Sequence, residues 1–355
     1  MSTNIFAFVI VLGILIFFHE LGHFLVARFF GVGVEKFSLG FGPRLFGKTI
    51  GFTDYRISAI PLGGYVKMTG EDPGVEIDPA DIPRSFTHKH VFKRMMIVAA
   101  GPVFNLILAL LIIISIYLVS GAYVMKPTVG AVGENTPAAK QGLKTGDRIV
   151  AIDDVRLESW DEMARLITES NGRELSFSVL REGTVLTLRI TPELKITKNL
   201  FGEDTERYLI GIGPSGDSFH KSLGPVEAVS ESFKQTYRIA EMTVLSVVKM
   251  IQGTMSRETL GGPIMIAQMA GEQAKEGVAN FLFFIALLSI NLGIINFLPI
   301  PVLDGGHLLF FLMEAIMGRP VNTKMREIAQ QVGIFLLLLL MIYVFYNDIN
   351  RLLFS

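Results

Sequence analysis

His19-Glu20-Leu21-Gly22-His23 stands inside an apolar run from Ile5 to Ala27 that carries no other ionisable side chain. A hydrocarbon core of ~30 Å takes about 20 apolar residues to cross, so the run reads as a membrane-spanning helix. An ionisable side chain at that depth costs about 2.5 kcal/mol or more, which marks a functional group with a partner. On a helix, positions i and i+4 share a face. His19 and His23 therefore present imidazole nitrogens to one metal ion, and Glu20 projects beside it as an acid or base. The ion this pattern suggests is zinc. A secretory signal peptide is the competing reading, but it calls for a basic leader and a shorter apolar core, and Met1-Ser2-Thr3-Asn4 has neither Lys nor Arg.

Composition fits such a span. The 355 residues are 50% hydrophobic and 18% charged, with a mean hydropathy of +0.47. That is too apolar for an ordinary soluble enzyme and too charged for a chain lying wholly in the membrane. Lys+Arg 32 against Asp+Glu 33 leaves a net charge of -1, with no basic excess for a nucleic-acid partner. Cys 0 removes thiolates as ligands and leaves His and carboxylate.

Four stretches are apolar and long enough to span, at about 5–27, 96–119, 279–300 and 332–346. The loop after the first carries Arg28, Lys36, Arg44, Lys48, Arg56, Lys67, Arg84, Lys89, Lys93 and Arg94, and so is expected in the cytoplasm. Arg319, Lys324 and Arg326 fall on the same side if there are four spans. Both termini and the middle soluble part are then extracytoplasmic. His19 lies roughly 21 Å along the first helix from Ile5, closer to the cytoplasmic face.

The first loop, 37–69, is expected to hold a β-hairpin. From Thr49 to Met68, Ile50, Phe52, Tyr55, Ile57, Tyr65 and Val66 flank Pro61-Leu62-Gly63-Gly64. Such a hairpin is either structural or an edge strand able to hold an extended peptide by main-chain pairing. Pro73 to Pro83 reads as acidic and irregular. Residues 121–198 change character to a small α+β domain. There, Pro137-Ala138-Ala139-Lys140-Gln141-Gly142-Leu143-Lys144-Thr145-Gly146-Asp147-Arg148-Ile149-Val150 resembles the PDZ fold, which captures peptides by strand addition. Residues 199–278 read as a linker with an amphipathic region at about Val226 to Gln252, packed on the bundle or lying in the membrane interface. Residues 279–355 complete the membrane core begun by 1–120.

A catalytic zinc site needs three protein ligands and an open position. The candidates for the third are Asp304 and His307, beside a helix broken by Pro299 and Pro301. Such a break is tolerated at membrane depth where backbone lines a cavity. Asp304 also reads as a helix cap, and His307 as a satisfied core residue.

Taken together, His19-Glu20-Leu21-Gly22-His23, Leu303-Asp304-Gly305, Gly101-Pro102-Val103-Phe104-Asn105 and one PDZ-like domain resemble the site-2 protease family of intramembrane zinc metalloproteases, in its bacterial RseP-like branch. The resemblance covers essentially the whole chain. It implies a polytopic α-helical membrane protein of about four transmembrane helices, with a membrane-associated β-hairpin and an inserted α+β PDZ domain, in the bacterial inner membrane. It implies Zn2+ held by His19, His23 and Asp304, and Glu20 as the catalytic acid and base. It further implies that Asn296, Pro299 and Asp304 form the family's Asn-Pro-Asp-Gly motif, and that Asn291, Asn296, Pro299, Gly101 and Asn105 meet the substrate. The best-known branch has two tandem PDZ domains where this chain has one.

The expected reaction is regulated intramembrane proteolysis of single-span membrane proteins, anti-sigma factors or remnant signal peptides by family likeness, with a peptide segment bound by the PDZ domain. A membrane-anchored PDZ adaptor with a non-catalytic metal site is the alternative, and it leaves Glu20 without a use. A soluble-type zincin tethered to the membrane would need His19 outside the bilayer.

Overall fold

The computed structural model describes residues 2–72, 76–199, 201–254 and 261–354. The chain forms two compact units, Met1–Ile116 with Val229–Val247 and Ser256–Ser355, and Tyr117–Ala228 with Val248–Met255. The first unit begins with helix α1 (Ser2–Phe29), which carries His19, Glu20 and His23. It closes with Val32 N–H donating to the Ala27 carbonyl at 2.9 Å, across Gly31 at φ +67°. That left-handed turn is cheap for glycine, and it sends the chain back along the helix.

Strands β1 (Val34–Ile50) and β2 (Thr53–Met68) then pair antiparallel, with Ile50 opposite Thr53. The turn is therefore Gly51-Phe52, and Pro61-Leu62-Gly63-Gly64 lies within β2 rather than at the hairpin's end, as the sequence had suggested. The glycines serve close approach instead. A Cβ on Gly64 would sit 2.7 Å from Ile16 Cγ2 and 2.9 Å from Glu20 Cγ, and one on Gly63 would enter the Phe41 ring. Both strands fold on themselves, so Phe37 has Val66 on one side and Tyr55 on the other. Residues 64–68 pair only with 34–39, which leaves them an edge strand.

Of the acidic segment, Pro73 lies outside the described residues, and Pro79–Arg84 forms a short 3-10 helix under an Asp78 cap. Helix α2 (Val91–Ser120) follows, with Pro102 inside it.

In the second unit come β3 (Ala122–Met125), β4 (Val129–Val132), α3 (Pro137–Lys140), β5 (Arg148–Ile152), β6 (Val155–Arg156), α4 (Trp160–Glu169), β7 (Leu175–Arg181), β8 (Thr184–Ile190), β9 (Glu193–Lys198), β10 (Asp204–Leu209), β11 (Ile212–Pro214) and β12 (Ser218–Lys221). The main sheet has the order β6-β5-β7-β8. Its β7–β8 hairpin turns on Glu182 and Gly183, both at positive φ, as a two-residue turn matched to strand twist requires. The core holds Ile149, Met163, Phe177, Val179 and Ile190, all fully buried. The expected boundary at Lys198 falls short. Strands β10, β11 and β12 pair with β9, β4 and β3, so the unit closes only after Lys221.

Helix α5 (Pro225–Ile251) covers the region read as amphipathic. Its stretch Val229–Val247 belongs to the first unit, where Thr243 Oγ1 donates to Asn291 Oδ1 at 2.6 Å. Helices α6 (Pro263–Glu276), α7 (Val278–Asn296), α8 (Asp304–Met317) and α9 (Thr323–Phe354) complete this unit. Among the described residues, four helices are long and apolar enough to cross a membrane, at Thr3–Phe29, Val91–Ser120, Val278–Asn296 and Thr323–Leu353. The third ends four residues before the expected 300, because Pro299 and Pro301 have no N–H with which to continue it. The fourth is far longer than 332–346, since its polar ends also hold helix. Along α9, Leu336, Leu338, Ile342 and Tyr346 stay exposed, as on a lipid-facing helix.

Candidate metal centre

Two helices must come very close for α1 to present its histidines to α8, and glycine makes that possible. A Cβ on Gly22 would stand 2.3 Å from the Ala100 carbonyl oxygen, and one on Gly101 would stand 2.3 Å from His23 Nε2. α1 and α2 therefore meet through bare backbone, with the histidine rings filling the remaining space. Past Asn296 the chain breaks, and Phe297–Leu303 wraps the start of α8. Here too backbone lies on backbone, since a Cβ on Gly305 would meet the Leu298 carbonyl oxygen at 2.2 Å. Asp304 is the first residue of α8, at the end where the helix dipole favours a carboxylate.

The result is a tight cluster of three donor atoms. His19 Nε2 lies 3.2 Å from His23 Nε2 and 3.2 Å from Asp304 Oδ2, while His23 Nε2 lies 3.6 Å from the same oxygen. Ligands at ~2.0–2.1 Å around a tetrahedral zinc ion are separated by roughly 3.3 Å, so these atoms have the spacing of three of its corners. Asp304 Oδ2 is buried and has no hydrogen-bond partner among the described residues. An orphaned carboxylate oxygen beside two imidazole nitrogens is what a cation would satisfy. The donor set thus fits zinc in type, number and spacing.

Both rings are aimed from behind. His23 Nδ1 donates to the Ile97 carbonyl at 2.9 Å, in the turn preceding Pro102, which leaves Nε2 as the lone-pair nitrogen. His19 Nδ1 lies 3.2 Å from the Asn105 amide. The facing atom is Asn105 Nδ2, while Oδ1 is buried and without a partner among the described residues; a metal on His19 Nε2 puts the proton on Nδ1, and turning the amide over then brings Oδ1 round to accept it. Ser289 Oγ in turn donates to the Asn105 backbone carbonyl at 2.7 Å.

Beside the cluster lies a cavity of about 890 Å³ whose walls include Glu20, Gly64, Tyr65, Val66, Met68 and Glu71. Glu20 is almost fully buried, adjacent to His19 and three residues before His23 in sequence, and next to the edge strand in space. His307 also lines this cavity but is not part of the donor trio, which among the described residues is His19, His23 and Asp304. Gly101 and Asn105, expected at the substrate, stand against the ligand histidines. Asn291 is engaged by Thr243 on α5, Asn296 ends α7, and Pro299 lines a separate apolar groove with Met95, Met96 and Gly305. These three are absent from the walls of the cavity that holds Glu20. The sequence reading missed Gly22 and the Ile97 carbonyl, and small residues facing each other on adjacent spans are the signal that finds the first of them.

Residues 7–340 match the peptidase family M50. A protein of Agrobacterium fabrum, provisionally named a zinc metalloprotease, is 37% identical over 369 residues, covering 99% of this chain and 97% of its own. A Campylobacter jejuni protein with the same provisional name is 38% identical, over 99% of this chain and 94% of its own. The zinc metalloprotease RasP of Bacillus licheniformis is 31% identical over 99% of both chains.

Proposed function

The chain belongs to peptidase family M50, the site-2 protease family, and is a membrane zinc metalloprotease, and from this we propose that it cuts single-span proteins within or beside their membrane-spanning segment. The observation that carries the proposal is depth: His19, Glu20 and His23 hang on a helix that is otherwise apolar from Ile5 to Ala27, and Asp304 meets them from the start of α8.

His19, His23 and Asp304 hold the zinc, and Glu20 is the acid and base. When bound, the metal would supply Lewis acidity, making water a far stronger acid than it is in bulk and polarising the scissile carbonyl. Glu20 takes the proton of the attacking water and returns it to the leaving amine. The buried site keeps bulk water from competing for these charges.

A helical substrate hides its carbonyls in hydrogen bonds and must be opened first. The 64–68 edge, running past Glu20 at Gly64, offers unpaired main-chain groups to the opened segment by strand addition. The hairpin also exposes Phe41, Leu45, Phe46 and Ile50 beside Arg44 and Lys48, the make-up of a segment seated in the membrane interface. By charge, the hairpin loop is cytoplasmic and both termini and the second unit are extracytoplasmic. The second unit acts as a PDZ-type domain that binds a peptide segment, and the chain as a whole is anchored in a bacterial inner membrane by its spanning helices.

Incubating the purified chain with a single-span substrate in detergent tests the assignment. Glu20→Gln should lower cleavage by about 10²–10⁴-fold with zinc retained, and equal cleavage by both forms would sink the proposal.

A further inference from the structure

One acidic side chain in the catalytic cavity has no role in the chemistry above. Glu71, three residues beyond β2, lines the same cavity as His19, Glu20, His23 and Asp304. Its Oε2 accepts from the Met68 N–H at 3.0 Å. The next N–H, of Thr69, points the other way, to the Gly33 carbonyl at 2.8 Å. Backbone groups alternate sides along a strand, so the outward N–H groups of this edge belong to Gly64, Val66 and Met68. Glu71 therefore occupies the last of them.

Position along the membrane follows from packing. Gly64 lies against Glu20 and Ile16 of α1, whereas Met68 packs with Ala27, Val32 and Val34 at the other end of that helix. The edge runs from the level of the catalytic glutamate toward the basic loop, and Glu71 closes it there. Two of the charged groups that share the cavity wall with it already have partners. Asp72 pairs with Lys67 at 2.9 Å, and Arg94 with Glu314 at 2.5 Å. Glu71 has no Lys, Arg or His within ion-pair distance among the described residues.

We propose that Glu71 is a specificity-determining residue: it ends the substrate-pairing edge at Met68 and selects a Lys or Arg side chain on the cytoplasmic flank of the substrate's membrane segment. The proposal rests on strand addition at this edge. Single-span proteins carry their basic residues on that flank, so an unpaired carboxylate there meets the charge a correctly oriented substrate brings. An edge of 64–68 puts the selected side chain about four residues from the scissile bond.

The test uses the full chain and synthetic single-span peptides with Lys, Gln or Glu placed three, four or five residues cytoplasmic of the mapped cut. The wild type should favour Lys over Glu by about three- to tenfold in kcat/KM. Glu71→Gln, which keeps an acceptor for Met68 N–H, should bring the ratio near one, and Glu71→Lys should invert it. A ratio of one in the wild type, or one unchanged in both variants, overturns the proposal; zinc content confirms that each variant is folded. N-methylating the peptide amides opposite Gly64 and Val66 separates the two ideas. If N-methylation is harmless, strand addition falls and takes this proposal with it. If it impairs cleavage while the Lys-to-Glu ratio ignores Glu71, only the role of Glu71 falls.

Discussion

At the scale of single residues, the metal centre depends as much on what is absent as on what is present. Gly101 leaves room for His23, and any Cβ there would lie 2.3 Å from its Nε2. Gly101→Ala should therefore lose zinc, read by metal analysis of the purified protein, with the helix content of the circular dichroism spectrum unchanged. Asn105 acts one step further out, by orienting His19. Asn105→Ala should weaken zinc binding by about 10–100-fold in a chelator competition, while Glu20→Gln leaves that affinity nearly intact. The asymmetry separates a residue that aims a ligand from one that moves a proton. His19, Glu20 and His23 were legible in the sequence because their relation is local, four positions on one helix. Asp304 was favoured over His307 only because two histidines leave a catalytic zinc site one ligand short, since nothing local says that a residue 281 positions after His23 folds back onto it. The roles of Gly101 and Asn105 were not legible, because both depend on how α2 crosses α1.

At the scale of elements, helix α6 shows how the bundle is tied together. Its N-cap, Gly262, has no side chain to satisfy the first backbone N–H groups. Asp348 of α9 does so instead, accepting from Gly262, Ile264 and Met265 N–H at 3.0, 2.9 and 3.1 Å while itself fully buried. Asp348→Ala should destabilise the first unit by about 1–3 kcal/mol, seen as a lower thermal midpoint in detergent, with Asp348→Asn losing less. The hairpin shows why element boundaries were harder to read than element existence. Proline followed by two glycines is a strong turn signal, and the sequence reading placed the turn there. In the fold those glycines let β2 pass Phe41 and Glu20, and Gly51-Phe52 makes the turn. Close approach and tight turning call for the same residue, and only the packing partner tells them apart.

At the scale of the whole molecule, the two units answer to different physics. The second is held by an ordinary core and by Asp147, whose carboxylate accepts two bonds from Arg181 at 2.7 Å and one from Lys144 N–H at 2.7 Å. The Arg181 guanidinium holds the Asp147 carboxyl below the usual carboxylate range. A depressed carboxyl stabilises the fold above its unfolded value, ~3.9, and that contribution fades as pH falls through the lower folded value. The unfolding midpoint of the second unit should therefore fall in Asp147→Asn at neutral pH, and the gap to wild type should narrow below about pH 4. The first unit answers to the bilayer, which turned a short polar motif into a prediction of where chemistry happens. The most direct test of that claim is the position of the cut. The purified chain and a single-span substrate are reconstituted in the same vesicles, and the new product termini are read by mass spectrometry. A cut within the apolar segment of the substrate, lost on zinc chelation and in Glu20→Gln, is the predicted result. Cleavage confined to the water-exposed tails, or undiminished in Glu20→Gln, would contradict it.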